Sequence, residues 1–158
     1  KYLENKLKFF PYISEAVTFG DGRDYVAAFI CMDLEAVGNW AEKQNLAYSG
    51  YTDLAGQELV GDFIQVCVEK VNQDLSNDEK LAGSQIKRYL ILHKDLDADD
   101  NEITRTRKLR RGFIAEKYGP VIEAFYGGAN DVELRLSVTF EDGSESFVDA
   151  HMKIQEAA

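Results

Sequence analysis

The chain has no long apolar run. No segment reaches the roughly 18 residues that a membrane-spanning helix needs. The opening KYLENKLKFF is charged and amphipathic, unlike a signal peptide. The expected location is the cytoplasm, with any membrane contact peripheral and made by another part of a longer protein. The start without Met is read as that of a fragment. Cysteine is scarce: Cys31 and Cys67 sit in the apolar segments FICMD and FIQVCVEKV, away from any metal-ligand spacing. Both are expected as buried free thiols. His93 and His151 are isolated, so surface or capping roles are expected and no metal site. Ser14, Ser49 and Ser76 have no base at a useful spacing, which leaves nucleophilic catalysis without support. Neither G-x-x-x-x-G-K-[ST] nor G-x-G-x-x-G occurs. Positive charge is also short, with 18 Lys+Arg against 28 Asp+Glu and a net charge of −10. That balance excludes nucleic acid as the partner of the whole chain.

What is present suits one globular domain, or one domain with a small appendage. A hydrophobic fraction of 45% in 158 residues is enough for a core. Residues 2–9 have the spacing of a short helix closed before Pro11. Residues 13–19 and the apolar run YVAAFICM at 25–32 read as a hairpin around GDGR, the second strand being buried on both faces. Asp33 is a good N-cap for a helix over 34–44, and Thr52 for another. A long amphipathic helix is expected over 59–75, with Leu59, Phe63, Val66, Cys67, Val71 and Leu75 on its buried stripe. Residues 86–92 form a third strand. Helices follow over 109–118 and from Pro120 to Gly127-Gly128. Trp40 and the aromatics Phe9, Phe10, Phe29, Phe63 and Phe113 are expected in the core.

The tail changes character. Val132, Leu134, Leu136, Val138 and Phe140 alternate with polar residues, and Glu141-Asp142-Gly143-Ser144 reads as a turn before a strand over 147–154. The expected fold is α+β: a small antiparallel β-sheet flanked by helices, with a C-terminal β-hairpin extension. Residues 1–128 form the main unit and 129–158 the extension, which is expected to be dispensable for the core.

The charge is sorted sharply. Arg105, Arg107, Lys108, Arg110 and Arg111 fall within seven residues, just after Asp95, Asp97, Asp99, Asp100 and Glu102. One reading is an anion site that takes a phosphate or carboxylate. The other is a solvated helix start whose arginines pair with the nearby aspartates. Asp99-Asp100 read as part of a solvated loop that shields or positions the arginines rather than as a Mg²⁺ site.

Three stretches carry a resemblance. LENKLKFFPYISEAVTFGDGRDYVAAFICMD at 3–33, DADDNEITRTRKLRR at 97–111 and KYGPVIEAFY at 117–126 resemble the C-terminal domain of AMP-forming acyl-CoA synthetases, most of all the bacterial long-chain fatty-acid–CoA ligases. The resemblance implies a mobile lid that closes over an N-terminal adenylation domain of the same polypeptide. It then rotates so that coenzyme A can form the thioester. Substrates and cofactors implied are fatty acid, ATP, coenzyme A and Mg²⁺, none of them held by this chain alone. Lys108 matches the adenylation lysine. Arg105, Arg107, Arg110 and Arg111 become candidates for phosphate or domain-interface contacts. The wider superfamily has Gly before this lysine, where this chain has Arg107. The alternative function is a non-catalytic anion-binding or regulatory module built on the 105–111 patch.

Overall fold

The structure is a computed structural model that describes residues 2–139 and 142–157. Helix α1 (Tyr2–Lys8) leads into strands β1 (Ile13–Phe19) and β2 (Val26–Met32). Helices α2 (Leu34–Lys43), α3 (Tyr51–Ala55) and α4 (Glu58–Ser76) follow, then β3 (Ile86–Ile91). After a long loop come α5 (Arg111–Lys117) and α6 (Gly119–Tyr126), and the chain ends in β4 (Asp131–Thr139) and β5 (Glu145–Glu156). Asp33 caps α2 as expected, its carboxylate accepting from the Ala36 N–H at 3.0 Å. The β1–β2 turn closes through Arg23 N–H to the Gly20 carbonyl at 3.1 Å. Gly22 sits there at φ 71, a conformation that favours glycine.

The sheet runs β1-β2-β3-β5-β4. It is α+β as expected but not wholly antiparallel, because β2 and β3 are parallel. The chain leaves β2, makes three helices and re-enters beside the strand it left; such a crossover brings the return strand back in the same direction. The remaining pairs are antiparallel. Strand β2 serves both faces. Ala28, Ile30 and Met32 pack with α4, while Ala27, Phe29 and Cys31 pack with α5 and α6. Both cysteines are free and buried.

Helix α4 is rotated from the expected phase. Its buried stripe is Val60, Ile64, Cys67, Val68, Val71 and Leu75. Leu59 and Val66 are 54% and 49% exposed. Apolar residues on both flanks permit either phase, and docking on the sheet selects one. Phe63 stays half-buried by stacking on Trp40 at 4.2 Å. The buried Asn72 ties the helix to the first residue of β3, exchanging two 2.7 Å bonds with the Ile86 backbone. Two smaller expectations also fail. Phe9 is 89% exposed, beyond the last turn of α1. Thr52 lies inside α3, which Gly50 caps, and its hydroxyl donates to the His93 carbonyl at 2.8 Å.

The tail hairpin is part of the sheet. β4 and β5 pair from Asp131↔Lys153 to Thr139↔Glu145, with Gly143 at φ 84 in the turn. Phe140 and Glu141 of the predicted pattern lie outside the described residues. β5 runs on past β4, and Ile154, Gln155 and Glu156 pair with Leu90, Tyr89 and Arg88 of β3. Val132, Ala150, Met152 and Ile154 join the core around Phe125. The hairpin thus shares the sheet and the core with residues 1–128, and we propose that it is needed for the fold rather than dispensable. Without β5, the edge of β3 has no partner, and an open edge is a pairing hazard. Among the described residues no helix is long and apolar enough to cross a membrane.

Candidate functional site

Lys108 sits on a small hairpin between β3 and α5. Ile103 and Leu109 bridge its base in antiparallel register. Thr104 N–H donates to the Lys108 carbonyl at 2.8 Å, and Arg107 N–H to the Thr104 carbonyl at 2.9 Å. The Thr104 hydroxyl oxygen accepts from the Lys108 N–H at 3.0 Å and lies 3.1 Å from the Thr106 hydroxyl. The pattern is a three-residue loop closed by a left-handed residue. That residue is Arg107, at φ 63. It keeps the backbone shape that glycine provides most easily, at a strain of about 1 kcal/mol. Replacing Arg107 by Gly should therefore raise the stability by no more than about 0.5 kcal/mol, after the greater freedom of glycine in the unfolded chain, about 0.5–1 kcal/mol, is subtracted. A urea melt reads this directly; a lower midpoint would show that the Arg107 side chain makes a stabilising contact.

The side chains at the tip are free for a ligand. Lys108 is exposed, as are Arg105, Arg107 and Arg110. None of the four has a carboxylate partner among the described residues. Arg110 lies over the Phe113 ring at 5.4 Å. The arginines thus do not pair with the acidic loop. That loop satisfies itself through Lys94 and Lys117, which sequence spacing did not single out.

Glu102 is the centre of that loop and is fully buried. Of the pair expected in a solvated loop, Asp99 is exposed, while the Asp100 side chain is drawn in against Lys94. One Glu102 carboxylate oxygen accepts from Lys94 Nζ and from the Asp97 N–H at 3.2 Å. The other accepts from Lys117 Nζ at 3.0 Å and the Tyr118 hydroxyl at 2.5 Å. Lys94 Nζ also meets Asp100 at 3.0 Å. Burial pulls the Lys94 ammonium down, but Glu102 and Asp100 outweigh it and hold it above its ordinary value. Burial and the Glu102 carboxylate push the Tyr118 phenol far up, so it remains an O–H donor.

Arg111 has a different task from its neighbours. Its guanidinium holds both carboxylate oxygens of Glu4, one at 2.8 Å, across 107 positions of sequence. Glu4 also accepts from the Thr18 N–H at 2.8 Å. Arg111 thus clamps α5 to α1 and β1. Burial pushes the Glu4 carboxyl up, but Arg111 and Thr18 together hold it below its ordinary value.

His93 is buried rather than exposed, and neither ring nitrogen has a partner among the described residues. Burial, then the charge of Lys94, pushes the imidazole down from 6.5 to about 4; Glu102 and Asp100 oppose this and Lys117 adds to it. The folded state therefore resists a proton that the unfolded chain accepts below pH 6.5. The stability from neutral His93 is complete above that pH and is lost as the pH falls toward 4. The loss should be roughly 2–3 kcal/mol. The Glu4–Arg111 contribution is lost later, once the pH falls below the ordinary carboxylate range and through the depressed value of Glu4. Urea melts from pH 7 to pH 4 should show the first decline in the native chain and a flat profile in His93→Phe. A decline of the same size in the variant would assign it elsewhere.

Long-chain-fatty-acid–CoA ligase FadD15 of Mycobacterium tuberculosis is 34% identical over 126 residues, covering 78% of this chain and 20% of its own length. The putative fatty-acid–CoA ligase fadD11 of the same species is also 34% identical, over 128 residues, with coverage of 81% and 21%. The chain thus spans about a fifth of the length of these relatives. In fold it resembles the adenylation-PCP didomain of a carboxylic acid reductase from Segniliparus rugosus, solved with AMP. The TM-score is 0.57 at 17% identity, covering 80% of this chain and 16% of that one. The profile of the AMP-binding enzyme C-terminal domain matches residues 1–130, and the chain belongs to that family.

Proposed function

We propose that this domain is the mobile lid of an ATP-dependent long-chain fatty-acid–CoA ligase, and that Lys108 is its adenylation lysine. The observation that carries the reading is the exposed ammonium of Lys108, without a partner among the described residues, on a hairpin whose backbone is held at both legs. An ammonium on a flexible stem can bridge a fatty-acid carboxylate and the α-phosphate of ATP. Both groups crowd negative charge as the carboxylate attacks phosphorus, and a fixed cation offsets the repulsion while it orients the nucleophile. Arg105, Arg107 and Arg110 add positive field on the same surface. They are the candidates for contacts with the N-terminal adenylation domain and, after rotation, with coenzyme A phosphates. Arg111 is engaged with Glu4 and drops out of that set. Mg²⁺ would accompany the ATP phosphates in the adenylation domain, since the loop carboxylates Glu102 and Asp100 are occupied by Lys94 and Lys117.

The test separates lid from catalyst. Residues 1–158 alone should release no pyrophosphate from ATP and a long-chain fatty acid. The longer protein that contains them should release pyrophosphate and then form the coenzyme A thioester. A longer protein that forms no thioester, or a fragment that makes pyrophosphate unaided, would overturn the reading.

A further inference from the structure

We propose that Glu102 is a positioning residue for adenylation: its buried carboxylate sets the hairpin that aims Lys108. The inference rests on the assignment of Lys108 above. Glu102 gathers donors from two separate parts of the chain. Lys94 and Asp97 come from the loop after β3, and Lys117 and Tyr118 from the end of α5. Its backbone is tied as well. The N–H donates to the Asp97 carbonyl at 3.1 Å, and the carbonyl accepts from the Arg110 N–H at 3.0 Å. Asp97 precedes the hairpin and Arg110 follows it. Glu102 therefore joins the two legs and anchors both to the body of the domain. The bonds between Thr104 and Lys108 then carry that orientation to the tip without a soft joint.

Stability alone is a poor reason for such a cluster. Burying a carboxylate with two ammoniums costs desolvation that the ion pairs barely recover, and apolar residues of the same volume do as well. Geometry is the better reason. Charge-assisted bonds from four donors leave one orientation for the carboxylate and so one for the hairpin. The hydrogen-bonding capacity is also specific. An amide in place of the carboxylate keeps the shape, but it supplies one acceptor oxygen where two are used, and it leaves Lys117 without an anion.

The experiment uses the full-length protein with Glu102→Gln. Pyrophosphate formation should lose between about tenfold and a hundredfold in kcat, the scale expected when a reacting group is displaced by about an ångström. KM for ATP and fatty acid should stay within about twofold, and thioester formation from supplied acyl-adenylate should be unchanged. The double variant Glu102→Gln, Lys108→Ala should be no slower than Lys108→Ala alone, because Glu102 acts only through Lys108. Tyr118→Phe, which removes a single donor, should show the same partition at a few-fold loss, and it carries the test if the Glu102 variant does not fold. Losses that add in the double variant, equal losses in both half-reactions, or a native rate in whichever of these variants folds would overturn the proposal. A native adenylation rate in Lys108→Ala would instead overturn the assignment of Lys108, an outcome seen without touching Glu102.

Discussion

Lys108→Ala in the full-length protein should slow acyl-adenylate formation by about 10²-fold or more, the scale of losing one preorganised charge at a transition state. Thioester formation from supplied acyl-adenylate should be much less affected, because the proposed lid would turn another surface to the site for that step. The structure supports such a clean split. The Lys108 side chain is exposed, and its backbone N–H and carbonyl are both satisfied within the hairpin by Thr104. Removing the amine therefore breaks no internal ion pair among the described residues, and the fold should be unchanged. Acetylation of the same side chain should match the alanine change, since it removes the charge and leaves the stem. The two half-reactions, assayed separately, decide the matter. An equal loss in both would reduce Lys108 to a support of the fold or of the domain interface.

A chain that ends at Gly128 should lose the cooperative unfolding transition of the 158-residue chain, or melt at least about 10 °C lower. The truncation removes the β3 partner Ile154–Glu156 and the bonds from Ile154 N–H to the Asn130 carbonyl and from Ala157 N–H to the Lys87 carbonyl. It also uncovers the core around Val132, Ala150, Met152 and Ile154. Burial of such side chains is worth roughly 1–3 kcal/mol each, against a total stability of about 5–15 kcal/mol for a domain. The family profile ends at residue 130, so nearly all of the hairpin lies beyond it, yet it packs as core. Calorimetry of the two chains, side by side, is the measurement. Coincident transitions would restore the reading of the tail as an appendage.

Short-range chemistry made much of this legible before the structure. The GDGR turn, the Asp33 cap and the apolar run of β2 each declare themselves within a few residues. The basic stretch around Lys108 was legible for the same reason, as a dense run of positive charge after an acidic one, and it is exposed in the fold. The phase of α4 was not legible, because Leu59 and Val60 are adjacent and equally apolar. Thr52 looked like a cap from its neighbours alone, while its hydroxyl had a partner at His93, 41 positions away. Glu102 looked like one of five acidic residues in an acidic stretch. Only Ile103 beside it hinted at burial, and nothing local showed that Lys117 and Tyr118 would close over it.

The sequence by itself determined the elements, the class of fold, the free buried thiols and the basic stretch that carries Lys108. These follow from periodicity, turn chemistry and charge, all of which act over a few positions. Only the tertiary structure decided how the positive charges divide. Arg111 is bound to Glu4 across 107 positions, while Lys94 and Lys117 neutralise the acidic loop in place of the arginines. It also decided that β3 would run parallel to β2 and be closed on its other side by the tail. Like charges are interchangeable in a linear sequence. In the folded chain, burial is costly enough that each buried carboxylate is matched by whichever cations the packing brings within reach, and those left over stay free for a ligand.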